Sequence, residues 1–178
     1  MTRMFSHHKQ SVGEIRRLAL LCYGLDVGST KLKDGSSMLE LDLQSQEVLH
    51  EQISCHLLSL AVALRVNFYQ KSLLELANHD IRNYAGMYWL DEYAIVKTTV
   101  KDVCDKIIHA DIFSKSVSPH QLSNGAYATI QMQGKHHKRS WVLDLCVALF
   151  CEKILQIISN LEENRGHAWT QQPSNPAS

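Results

Sequence analysis

The sequence predicts a mainly α-helical single domain with a small β-hairpin before the last helix. Three observations predict it. Apolar residues recur at helical spacing, most regularly in the series Leu49, Ile53, Leu57, Leu60, Leu64 and Phe68. Only one stretch, Tyr127 to Met132, alternates in the period of a half-buried strand. Hydrophobic residues make up 45% of 178 residues, which suits one domain with a real core.

Taken in order, GEIRRLALLCYGLD (13–26) places Ile15, Leu18, Leu21 and Cys22 at helical spacing. Gly24 and then VGSTKLKDGSS (27–37) are expected to end that helix in a loop. The next helix is the longest, about 43–76, with Ser45, Glu47 and Glu51 suited to its first turns. Its run LLSLAVALRV is apolar nearly all round, the mark of a central helix in a bundle. Residues 77–97 carry Asn78, Asp80, Asn83 and Gly86, and read as a connection plus one short helix bearing Tyr84, Tyr88 and Trp89. Thr98-Thr99 with Asp102 is a helix start signal, and a helix over 100–110 follows. The strand at 127–132, a turn in QGKHHKRS and a return strand at 140–142 make the hairpin. Such a hairpin is marginal alone and has to pack on the helices. A last helix is expected over 141–162. The domain is placed at 1–165, and 166–178 reads as a polar, disordered tail.

Composition narrows the function. Lys+Arg and Asp+Glu each total 18, so the chain has no overall basic footprint for nucleic acid, though a local patch remains open. The five cysteines are odd in number and form no CxxC pair, so they read as buried free thiols of a reducing cytoplasm. No secretory signal and no membrane-length apolar run occur. Neither do the phosphate-binding, dinucleotide, zinc-protease or nucleophile-elbow motifs.

Three constellations carry chemistry. VCDKIIHADIF (103–113) sets Asp105 and His109 four residues apart, on one helical face. The acid would hold the imidazole in one tautomer for acid–base work, or the two would simply bond each other where helices meet. GKHHKRS is the densest positive stretch, and Lys135, His136, His137, Lys138 and Arg139 form either a phosphate-contacting turn or a solvated one. Adjacent histidines in a turn point apart, so His136 and His137, with or without His120, are not read as a metal site, and no cofactor is expected. Arg82-Asn83 lies near Tyr84, Tyr88 and Trp89, for base stacking or for packing with one snorkelling arginine. Cys104 and His109 stand five apart and do not face each other as a nucleophile pair.

The segment Cys104-Asp105-Lys106-Ile107-Ile108-His109-Ala110 resembles the signature of the HEPN-like superfamily. There an arginine, a polar residue, three others and a histidine lie on a late helix, and one subgroup shows the form Cys-Asn-Lys-Ile-Ile-His-Ala. The order of elements is similar too: long helix, signature helix, hairpin, last apolar helix. The resemblance spans about residues 45–162 and rests on some seven residues. It implies a HEPN-like helical bundle, often a homodimer, and for many members a metal-independent ribonuclease of toxin–antitoxin or phage-defence systems. In those, histidine acts on the 2′-hydroxyl or leaving oxygen, and arginine stabilises the charged transition state.

This chain departs at the arginine, where Cys104 stands. Arg82 begins a similar pattern, but Met87 stands where the histidine is needed. Arg65 or Arg139 would have to supply the charge from elsewhere in the fold. The expectation is therefore a non-catalytic or weakly catalytic HEPN-like protein that binds RNA or a protein partner such as an antitoxin. The alternatives are an active metal-independent endoribonuclease using His109 with Asp105, and a purely structural interaction domain. A cytoplasmic homodimer without membrane contact is expected in each case.

Overall fold

The computed structural model describes residues 11–33, 41–70, 73–81, 86–91, 93–94, 98–115 and 128–170. It is mainly helical, as expected, but it carries an antiparallel sheet larger than one hairpin.

Helix α1 runs Val12–Lys33, past Gly24 and well into the expected loop. The reason is the stripe it buries: Ile15, Leu18, Ala19, Cys22, Asp26 and Ser29 keep helical spacing through the whole length. Gly24 lies on the opposite, open side, where an added Cβ would meet nothing within 4 Å. Asp26 makes the extension useful. Its Oδ2 accepts the backbone N–H of Ala148 at 2.9 Å, so a carboxylate from α1 caps the first turn of the last helix.

Helix α2 spans Leu43–Tyr69 and starts from Asp42, whose Oδ1 accepts the N–H of Ser45 at 2.6 Å. Its inner stripe, Ile53, Leu57, Leu60, Ala61, Leu64 and Phe68, is buried. The helix stops seven residues short of the expected 76, and a separate turn of helix, α3 (Leu74–Ala77), buries Leu76 and Ala77.

The main correction lies at 86–94. The short helix expected to carry Tyr88 and Trp89 is instead strand β1 (Gly86–Leu90), followed by β2 (Tyr93–Ala94). GMYWL is rich in the aromatic residues that suit a pleated surface. Gly86 permits the approach to the next strand, since an added Cβ would lie 3.0 Å from the Asp144 carbonyl oxygen. Arg82, Asn83 and Tyr84 lie outside the described residues.

Helix α4 (Val100–Ile108) opens with the expected capping box. Strand β3 (Ile112–Lys115), which the sequence reading did not foresee, follows it. The hairpin is β4 (Ile130–His136), which begins later than the expected 127 and runs through residues expected to turn, and β5 (Arg139–Leu145), which extends past the expected 140–142 at both ends. Trp141 therefore belongs to β5 rather than opening the last helix, which is α5 (Val147–Thr170). Trp141, Leu143 and Leu145 are all buried on alternate positions, and that period-two pattern holds the strand until 145. Helix α5 also continues five residues into the segment expected to be tail, and 171–178 lie outside the described residues.

The five strands pair in the order β2-β1-β5-β4-β3, all antiparallel. One face carries Ile130, Met132, Trp141, Leu143 and Leu145 into a single core with α1, α2, α4 and α5. The other carries Gln131, Gln133 and Asp144, with Gln131 Nε2 donating to Asp144 Oδ1 at 2.9 Å. No described helix is long and apolar enough to cross a membrane.

Candidate functional site

The signature helix is pinned at both ends. At its start, the Thr99 N–H donates to Asp102 Oδ2 at 2.9 Å, and the Asp102 N–H returns to Thr99 Oγ1 at 3.2 Å. Val100, Val103, Cys104 and Ile107 face the core. Asp105 and Lys106 are half-buried on the other side. At its end, His109 is the C-cap, and its backbone N–H donates to the Asp105 carbonyl at 3.1 Å.

The expected side-chain pair of Asp105 with His109 does not form. His109 has left helical geometry, with φ −108° and ψ 19°, and its imidazole is exposed, with no hydrogen bond or ion pair among the described residues. Four-residue spacing aligns two side chains only while the helix continues, and here it ends at Ile108. The Asp105 carboxylate turns to α2 instead, where Arg65 Nε lies 2.6 Å from Oδ1. Arg65 also donates through Nη2 to Tyr69 Oη at 2.9 Å and stacks its guanidinium 4.7 Å from that ring.

Arg65 thus reaches the signature helix, as the sequence reading had allowed for Arg65 or Arg139. Its charge there is matched by Asp105. Cys104 is fully buried, and desolvation, helped by the neighbouring Asp105 charge, raises its thiol pKa. Cys104 is therefore a neutral core thiol. Lys106 points elsewhere, its Nζ 4.7 Å from the Tyr88 ring and 4.8 Å from that of Trp141. The sequence reading assigned no role to this lysine. Aromatics were visible in both segments, but only the β1–β5 pairing brings Tyr88 and Trp141 under one cation.

The basic turn emerges beside the same helix end. Gly134 faces Trp141 across the hairpin, and a Cβ added to it would stand 2.4 Å from the indole Cζ2 and 3.0 Å from the His109 carbonyl oxygen. The end of α4 therefore abuts the hairpin at the Gly134–Trp141 pair, near its turn. Beyond Gly134, Lys135, His136, His137, Lys138 and Arg139 are all exposed. His137 takes the left-handed conformation (φ 55°) that closes a two-residue turn. His136 and His137 do not point apart as expected: His136 is the last residue of β4, and its ring meets that of His137 edge-on at 4.4 Å. Arg139 has an acid partner in Asp91, at 3.4 Å between exposed side chains, whereas no carboxylate among the described residues pairs with Lys135 or Lys138. His120 lies outside the described residues.

Comparison with protein-family models, with curated proteins and with solved structures finds no match to this chain.

Proposed function

We propose that this is a HEPN-like protein of the non-catalytic or weakly catalytic kind, which binds RNA through its β4–β5 turn. The observation that carries the reading is the run from Lys135 to Arg139, exposed at one end of the sheet with two lysines that no described carboxylate neutralises. Ammonium groups of this kind take up phosphates by releasing the counterions that surround them. His109, whose imidazole is exposed, ends the helix whose last carbonyl lies against Gly134 of the same hairpin. A defence or toxin–antitoxin setting, a homodimer and an antitoxin-type partner belong to the same reading, and rest on the resemblance of residues 104–110.

The ribonuclease reading has one observation in its favour, the arrival of Arg65 at the signature helix. It has two against it. Asp105 offsets the arginine's charge, and the histidine lacks an orienting acid among the described residues.

The test is a salt series of gel-shift measurements on single-stranded RNA, comparing the wild type with Lys135→Glu/Lys138→Glu. Loss of two phosphate contacts should reduce the slope of log affinity against log salt by about 1.4. An unchanged slope rules out the turn as the RNA-binding surface.

A further inference from the structure

A cavity of about 340 Å³ opens where α1 and α2 part above the β3–β4 corner. It lies away from the basic turn and shares no residue with the site above. Its origin is visible in the sequence of α2. The inward stripe that buries Ile53, Leu57 and Leu60 would continue toward the N-terminus through Leu49, His50 and Gln46. Two of those three positions are polar. Gln46 is matched within the fold, donating through Nε2 to the Leu41 carbonyl at 3.0 Å and accepting from Lys115 Nζ at 3.4 Å, so this end of the stripe gives the cavity a partly polar wall.

The cavity's charges are few and placed at opposite ends. Asp26 lies in the depth, 2% exposed, and its charge faces the positive N-terminal turn of α5 through the bond to Ala148. Lys115, at the end of β3, stands at the rim, its Nζ 3.4 Å from Gln46 Oε1. Between them the wall is mixed, with Leu41, Leu49, Ile53 and Ile130 beside the polar groups of Ser29, Gln46, His50 and Thr129. On the solvent side of Lys115 a shallower cleft begins, walled by Glu47 and Glu51. An anionic group can therefore sit at Lys115 but is opposed further out.

We propose that this cavity binds a compact amphipathic carboxylate, its apolar body against Leu49, Ile53 and Ile130 and its carboxylate on Lys115. The volume is at the lower end of the roughly 300–1,000 Å³ range of small-molecule sites, which suits a short acyl chain or a single substituted ring. The lining divides between apolar and polar residues, so a ligand with both kinds of surface fits it better than a purely apolar one.

Octanoate and octanol are the probes, titrated calorimetrically into the full chain. Octanoate should saturate at one site, and octanol should bind about tenfold more weakly because it lacks the charge-assisted contact. Lys115→Glu, an exposed change that leaves the core intact, should weaken octanoate by about tenfold or more and leave octanol unaffected. Leu49→Trp should fill the cavity and abolish both, with circular dichroism confirming the fold. If Leu49→Trp fails to fold, the Lys115→Glu comparison decides. The proposal is overturned by absence of saturable octanoate binding up to about 10 mM. Equal affinity for the two probes overturns it as well, and so does octanoate affinity that ignores Lys115→Glu.

Discussion

Arg65 Nε stands 2.6 Å from Asp105 Oδ1, so the acid of the signature helix is tied to α2 and not to His109. The side chains are 13% and 33% exposed, between a surface pair and a buried one. Exposed ion pairs contribute about 0.2–1 kcal/mol, and breaking a buried one costs about 3–5 kcal/mol. A double-mutant cycle with Arg65→Ala and Asp105→Asn should therefore give a coupling of about 1–2 kcal/mol. Urea unfolding of the four proteins measures it. A coupling below about 0.3 kcal/mol would mean that the two groups sit together without supporting the α2–α4 contact.

Two glycines should respond to alanine in opposite directions. At Gly134 the new methyl would collide with Trp141 at 2.4 and 2.7 Å, and the buried indole has little room to retreat. Overpacking of that kind destabilises by about 1–3 kcal/mol. At Gly24, exposed within α1, the new methyl meets nothing, and helix propensity should stabilise the fold by about 0.5–1 kcal/mol. Thermal melts of both variants check the pair. A stable Gly134→Ala would show that Trp141 does not lie flat on the hairpin.

The same glycines show where the sequence was legible. Helix identity came from apolar stripes, which found α1, α2, α4 and α5 but not all their ends: α2 stops at 69 rather than 76, and α5 begins at 147 rather than 141. Gly24 was read as a breaker because glycine disfavours helix, but a six-residue buried stripe outweighs one glycine on the open side. Strand β1 was missed because GMYWL is short and its pairing partner, β5, lies some fifty residues on. Short apolar runs do not distinguish helix from strand by period. The hairpin's basic turn was legible in position, since its residues are consecutive, but not in extent: Gln133–His136 pair in β4 and Arg139 and Ser140 in β5, which leaves His137 and Lys138 as the turn. The Arg65–Asp105 pair was not, since it joins residues forty apart through the packing of two helices. Cys55 was read as buried with the other thiols, yet it lies on the outer side of α2 and is exposed. A helix that looks apolar nearly all round still has a solvent side, and Leu58 and Val62 of α2 are exposed along with Cys55.

His109→Ala should leave stability nearly unchanged. The imidazole is exposed and makes no hydrogen bond or ion pair among the described residues, so the change should fall within about 0.5 kcal/mol. Ile107→Ala, two residues earlier and buried, should cost about 2–5 kcal/mol. On the binding reading, RNA incubated in EDTA with either wild type or His109→Ala stays intact on a denaturing gel. Cleavage by the wild type alone would sink that reading and make Arg65 the next residue to change.

The buried thiols should make the fold sensitive to alkali. Desolvation raises the pKa of Cys104 and Cys146 above the ordinary thiol value, and for Cys151 a hydrogen bond with Cys22 acts first and burial second. In the unfolded chain these groups ionise near about 8.5. Above that pH the folded state holds more protons than the unfolded one, so stability falls as pH rises. It is unaffected below about pH 8, and it is lost progressively until the raised folded-state values are reached. Each thiol contributes a slope of at most about 1.4 kcal/mol per pH unit. Urea midpoints at about pH 7, 9 and 10 should therefore decline, and Cys104→Ala should decline less steeply than the wild type. Lysine and tyrosine titrations are common to both proteins and cancel in that comparison. In the native state at neutral pH, a thiol reagent should label Cys55 quickly and the four buried cysteines only on unfolding. Equal slopes for wild type and Cys104→Ala, or rapid native labelling of Cys104, would show that the signature helix does not keep that thiol in the core.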